Sequence, residues 1–539
     1  MWSDRLPPAR RARLIARLRS VLPAPRPGSR GATTPLRRRA SPEQVAAELC
    51  SRPGFVWLDG ADPRLAASPR ALLTARGGRA TVHGPGGRVT FTARGLDLLE
   101  AALAAWGSAA TGDDGGDRPG HHGLLIGYLG YELGGEVEAL PPAPPDDLGL
   151  PDLWLGLYDA VLHRSQKGWV LESTDAWLGV PGLDPASLPT PLGDGKVADP
   201  VLAAERLLER AARRPAEEVP DGPLTRGPLV SRPHRSGFEA AVAAAVRRIE
   251  SGEIFQVNLC RRLEAPLSPA DLWPLYLRLR AASPAAHGAF FDLGPERPGR
   301  RTQSAVVSGV SDASDASDDA AGPRRALLSV SPEQFLTVRG GEVTSRPIKG
   351  TRPRGRTPRD DRALEKELLA SAKDCAELAM IVDVVRNDLG RVCATGSVAV
   401  PQLREVLRLP TVLHTVATVT GRLRDDAGAA DLLRAAFPPA SITGAPKIQS
   451  MTVAAELEER RRGPAMGAFG WIALAGGPAG QGGGDLDLAV AIRTAVAARG
   501  RVAYHAGCGI TADSDPEDEF DESAVKASAF LTALGREPG

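Results

Sequence analysis

Short apolar runs closed by glycine and proline turns constrain this chain more than any other feature. FVWLDG (55–60), ATVHG (80–84) and RVTFTA (88–93) follow one another in the first half, and PDLWLGLYDAVLHR and GWVLES (151–173) alternate like paired strands. Later, Leu327–Val338 and Val343–Ile348 read as strands joined by the RGG turn at 339–341. Strands this close in sequence pair antiparallel, because a parallel neighbour needs a crossover of about a dozen residues or more. Helices stand apart from these hairpins. SPEQVAAELC begins one at a capping Ser41, residues 236–251 are amphipathic, and residues 361–389 form one long helix stopped by Gly390. Separate hairpins and helices predict an α+β fold rather than a βαβ ladder.

The 539 residues correspond to about three domain-sized units. Lys and Arg number 66 against 65 Asp and Glu, a net charge of +1, and no nucleic-acid or membrane partner is expected. There is no run of about 18 apolar residues that could cross a membrane. Cys50, Cys260, Cys375, Cys393 and Cys508 are scattered and form no CxxC pair, as in reduced cytoplasmic proteins. Residues 1–40 hold eleven Arg against Asp4 alone. Only seven of the chain's cations are Lys, so Arg is its default, and the segment reads as a disordered basic leader rather than a nucleic-acid arm. An N-terminal region (41–215), a Pro/Gly-rich linker (216–235) and a catalytic region (236–535) follow. Residues 311–325 are polar and low in complexity, a surface-loop insertion. Neither GxGxxG nor a Walker motif is present, so no dinucleotide or ATP site is indicated.

Several residues could carry chemistry. SPEQFLTVRGGEVTSRPIKGTRPRG (331–355) places Glu333 and Lys349 on adjacent strands of a hairpin, where both can face one cleft. A desolvated lysine is a nucleophile and a neighbouring glutamate a proton donor or acceptor, although a surface lysine on an edge strand has the same spacing. On the helix after Pro516, Glu519, Glu522 and Lys526 share one face. They are either a carboxylate pair for a hard cation such as Mg²⁺ or a solvated face with an i,i+4 ion pair. Glu377 lies among apolar residues and needs a partner or a metal. FPPASITGAPKIQSM (437–451) is a turn into a helix start, weak by itself, as are His414, Arg493 and the Gly507/Gly509 pair.

Together these segments resemble the chorismate-utilising enzymes: anthranilate synthase component I, aminodeoxychorismate synthase component I, and the isochorismate and salicylate synthases. The matching blocks are GEIFQVNL (252–259), SPEQF (331–335), RPIKGTRPRG (346–355), AELAMIVDVVRNDLGRV (376–392), TVLHTV (411–416), FPPASITGAPK (437–447), LAVAIRT (488–494) and AGCGITADSDPEDEFDESAVKA (506–527). The resemblance implies a two-layer β core wrapped by helices and a Mg²⁺-dependent chorismate site. It implies that Glu377 and Glu522 ligate the metal, with Glu519 acting through water. Arg493, Lys526 and the Gly507–Gly509 backbone would hold carboxylates, and His414 with the Ser441–Thr443 turn would line the ring.

The resemblance also orders the branches. The isochorismate and salicylate synthases carry a lysine base where this chain has Gln256, which cannot take a proton from water. Anthranilate synthases usually read PIAGT, whereas one group of aminodeoxychorismate synthases reads PIKGT, as residues 347–351 do here. In that group Lys349 would add at C2 of chorismate and expel the C4 hydroxyl. Ammonia would then give 4-amino-4-deoxychorismate, on the route to 4-aminobenzoate and folate. The alternatives are anthranilate synthase component I, which releases pyruvate, and a non-catalytic homologue. No glutaminase-type Cys block is recognisable, so ammonia would come from a partner glutamine amidotransferase or from solution. Three departures stand out. Cys508 replaces a small residue and is expected to crowd the carboxylate, Gly60 replaces a serine of the tryptophan-binding region, and His287 replaces an aromatic.

Overall fold

Every strand pair described is antiparallel, as the hairpin pattern requires. The computed structural model describes residues 6–24, 31–107, 121–174, 199–215, 219, 222–225, 227–295, 323–410, 412–475 and 484–536. Most of the 311–325 insertion falls outside them. The described residues build two twelve-stranded sheets. Between the sheets, Trp154, Tyr158 and Phe469 of one meet Val56, Phe291 and Val496 of the other in an apolar core. Pro42–Leu49, Pro200–Ala212, Leu272–Ala282 and Pro516–Ala533 cover the outside of the first sheet. Pro8–Val21, Gly95–Trp106, Ala372–Gly390 and Ala429–Ala436 cover the second. The expected two-layer core wrapped by helices is what the chain forms.

The halves of the sequence do not form separate layers. Val56–Gly60 pairs with His287–Pro295, and His121–Leu129 pairs with Ala468–Ala475, so each sheet is assembled from both. Gly60 and His287 are partners at the first junction, where a Cβ on Gly60 would collide with the Ala286 carbonyl. Part of the expected linker is sheet, since Val230–Arg232 pairs along Arg262–Glu264.

Two further expectations need correction. The leader is not wholly disordered. Pro8–Val21 is a helix that buries Leu14, Leu18 and Val21, and Gly31–Pro35 pairs with Gly168–Thr174. Its arginines ride on the exposed side of an ordinary i, i+4, i+7 apolar stripe. The long helix of 361–389 is two helices, Pro358–Ala370 and Ala372–Gly390. Ser371 between them is extended, and its hydroxyl accepts the Asp374 N–H as an N-cap. That break aims the second helix's first turns at the cleft described next. Among the described residues no helix is long and apolar enough to cross a membrane.

Candidate active site

A cleft of about 780 Å³ opens where the hairpin, the helix from Ala372, the helix from Pro516 and the strand Arg501–Ile510 converge. Its backbone wall is that strand, paired with Gln256–Pro266 so that Gly509 faces Asn258 and Gly507 faces Cys260. Both glycines are required by space. A Cβ on Gly509 would collide with Gln256 Nε2 and come within 3.1 Å of Lys349 Nζ, and one on Gly507 would lie 2.5 Å from Cys260 Sγ. Strand alternation turns Cys508 the other way, into a core with Val257, Leu259 and Ile510. The expected crowding of the cleft by Cys508 therefore does not occur.

The hairpin Gln334–Arg339/Glu342–Arg346 turns at Gly340–Gly341, both at positive φ. It ends at the Gln334–Arg346 pair, so Glu333 and Lys349 are not cross-strand partners as expected. They lie just beyond its open end, Lys349 on Ile348–Pro353. Both still line the cleft. The Ile348 N–H favours the ionised Glu333 carboxyl. Burial pushes Glu333 up to about 7, against the Ser441 hydroxyl and the Lys349 charge, which favour ionisation. Lys349 Nζ lies 3.6 Å from the Glu377 carboxylate, with both side chains nearly buried.

His414 is 2% exposed. Its Nδ1 shares a hydrogen bond of 2.9 Å with Thr351 Oγ1, while Nε2 has no partner among the described residues. Burial, with Arg493 nearby, lowers it to about 4, so the ring is neutral at pH 7. Arg493 lines the same cleft, is held at φ +48, and forms no ion pair among the described residues. A cleft-lining cation without a counter-ion is suited to a carboxylate ligand.

The opposite wall is the helix Pro516–Ala533, clamped to its strand by Tyr504 stacked on Phe530 at 4.6 Å. Lys526 Nζ bonds Gly507 O at 3.0 Å and Glu522 at 2.6 Å. Burial opposes its charge, but Cys508 and Glu522 outweigh this and hold Lys526 above the usual range. Burial likewise raises Glu522, yet Lys526, Lys373 and Lys349 hold it below the usual carboxylate range. Glu519 is 3% exposed. Ser514 donates to its Oε1 at 2.7 Å, Oε2 is without a partner among the described residues, and burial raises its pKa.

Not every expected residue is on the cleft surface. Ser441 lines it, but the Thr443 hydroxyl donates to Ala440 O at 3.0 Å and braces the turn. Lys447 ties that turn to the helix from Ala372 through Asp388 at 2.6 Å and the carbonyls of Ala436 and Pro438. Gln256 is buried beside Gly509 with its Oε1 unpartnered. Lys373, Asp374 and Asn258 line the cleft and were missed. Lys373 had a signal: it is one of only seven lysines, and it sits in a helix's first turn, where the macrodipole disfavours a cation.

Residues 64–532 match the model of the chorismate binding enzymes. The chain belongs to that family. As a chorismate-utilising enzyme it is 35% identical over 496 residues to the aminodeoxychorismate synthase of Streptomyces griseus, covering 89% of this chain and 60% of that protein. It is 34% identical over 482 residues to anthranilate synthase component 1 of Arthrobacter globiformis, covering 86% and 80%. The crystal structure of anthranilate synthase component I from Streptococcus pneumoniae TIGR4 superposes with a TM-score of 0.66 at 26% identity, covering 87% and 92%. With two activities at nearly equal identity, the chemistry of individual cleft residues has to separate them.

Proposed function

We propose that this enzyme is an aminodeoxychorismate synthase component I. The observation that carries the reading is the Lys349 amine, nearly buried in the cleft beside Glu377 and Gly509, with Glu333, raised to about 7, at the same open hairpin end. The Lys349 nitrogen, its proton passed to Glu333, bonds C2 of chorismate. The ring double bonds shift, and the C4 hydroxyl leaves as water with the proton of Glu333. Ammonia then bonds C4, Lys349 departs as the amine, and the surplus ammonia proton returns to Glu333. An acid at about 7 is poised for both transfers at neutral pH. Arg493 and Lys526 hold the substrate carboxylates, and His414 contacts the ring through Nε2.

The acids fit a hard divalent cation. Glu377 and Glu522 line one cleft, and Glu519 keeps a buried oxygen without a partner. Glu377 and Glu522 would hold Mg²⁺, with Glu519 acting through water. A bound Mg²⁺ would neutralise a ring carboxylate and polarise the ring. Ammonia comes from a glutamine amidotransferase subunit in the cytoplasm, a reading supported by the "component 1" in the name of the A. globiformis relative.

Product analysis tests this. With chorismate, Mg²⁺ and ammonium, the expected product is one that an aminodeoxychorismate lyase converts to 4-aminobenzoate. Anthranilate and pyruvate formed without the lyase would overturn it.

A further inference from the structure

We propose that Cys508, Glu519 and Glu522 form a mixed thiolate–carboxylate site that binds zinc and other thiophilic divalent ions more tightly than magnesium. One ligand atom from each of the three lies within 4.8 Å of the others. Two observations separate this trio from a chance cluster of acids. Glu519 is 3% exposed and its Oε2 is without a partner, an uncompensated buried acceptor of the kind that costs stability unless something binds it. Cys508 is fully buried beside it, its thiol donating to the Glu519 carbonyl at 3.3 Å.

The placement follows from strand alternation. Gly507 and Gly509 present bare backbone to the cleft, so the side chain between them is directed behind that ledge, under the helix Pro516–Ala533. The first turns of that helix supply Glu519, and Glu522 lies one turn on at the cleft rim. Glu522 gives Oε1 to Lys526, which leaves Oε2 for an ion. Zinc takes thiolate and carboxylate donors at about 2.3 and 2.0–2.2 Å, so a modest rotation of the half-exposed Glu522 closes the set around one ion. Water supplies the remaining position.

Thiolate donors favour zinc, cobalt and cadmium, whereas magnesium prefers oxygen alone. As the sulfur–metal bond forms, the Cys508 thiol releases one proton to solvent. Zinc bound here would remove Glu522 from the cleft, so trace zinc would inhibit the enzyme. The inference rests on Glu519 and Glu522 being cation ligands, as proposed above.

The test is a cobalt titration of the purified full-length chain, followed by ultraviolet–visible absorption and a pH indicator. The expected result is a sulfur-to-cobalt charge-transfer band with one proton released per ion, both abolished by zinc and both absent in Cys508→Ser. Zinc affinity should fall by more than about tenfold in Cys508→Ala, the smallest loss typical even of supporting groups. Unchanged thermal unfolding of both variants shows that they fold. Cobalt bound without the charge-transfer band overturns the thiolate site but leaves the carboxylate reading standing. No cobalt bound overturns both, and a band that survives Cys508→Ser assigns the sulfur to another cysteine and overturns the proposal.

Discussion

The hairpin wall of the cleft is largely buried, the helix wall keeps Glu522 and Lys526 about half exposed, and desolvation acts on the two in opposite ways. On the hairpin wall Glu333 is raised to about 7 and His414 lowered to about 4, so both approach neutrality. On the helix wall Glu522 is held below its usual range and Lys526 above it, so both keep their charges. The difference is counter-charge. Lys526 and Glu522 face each other at 2.6 Å, whereas His414 has the Thr351 hydroxyl, the Gly350 carbonyl and the Arg493 cation for company. Desolvation that outweighs the counter-charge makes groups that move protons, and desolvation outweighed by it makes groups that hold ions. The first wall is thus suited to chemistry and the second to anchoring.

The largest effect should come from the anchoring wall. Glu522→Gln is expected to lower turnover by about a thousandfold, the size of the several kcal/mol a metal-held charge supplies, with unfolding unchanged. Near-normal turnover in this variant, or in wild type with excess chelator, would erase the division of labour. Glu333→Gln, on the other wall, should cost about 10²–10⁴ in kcat and leave KM nearly unaltered, because it removes a proton rather than a contact.

Glu333 also predicts a pH signature. Its folded value of about 7 lies above the 4.5 of the unfolded chain, so the folded state holds the proton more tightly. Its contribution to stability is therefore complete below about 4.5 and is lost as pH rises through 7, amounting to about 3 kcal/mol. Denaturation from pH 4 to 8 should show this slope in wild type and a shallower one in Glu333→Gln. Equal slopes would mean that Glu333 is ionised in the folded chain.

The predicted cleft residues were legible in sequence because they fall in short blocks, although Lys349, His414, Arg493 and Glu522 are far apart in the chain. Hairpins were legible because adjacent strands and a Gly–Gly turn are local features. The interleaving was not, since nothing within Val56–Gly60 names His287–Pro295 as its neighbour. The helix Pro8–Val21 was hidden because arginines outnumber its apolar stripe, and the break at Ser371 because a single cap interrupts a continuous period. The direction of Cys508 needed the strand register.

Smaller effects sharpen the contrast between cleft and scaffold. Gly509→Ala should displace Gln256 and Lys349 and lower kcat by up to about 100-fold without changing stability by a similar measure. Leu18→Ala in the leader helix should do the reverse, costing about 2–5 kcal/mol in denaturant unfolding with kcat preserved. A silent Leu18→Ala would return that helix to the status of a loose leader.

The central claim is that Lys349 acts as a nucleophile rather than as a charge, and mass spectrometry of the chorismate-treated enzyme tests it most directly. Without ammonia, the peptide containing Lys349 should gain the mass of chorismate less one water. Lys349→Arg should show neither adduct nor ammonia-dependent turnover, because a guanidinium stays protonated and cannot attack. An unmodified Lys349 peptide, together with a Lys349→Arg enzyme working near the wild-type rate, would contradict the account and favour the anthranilate reaction.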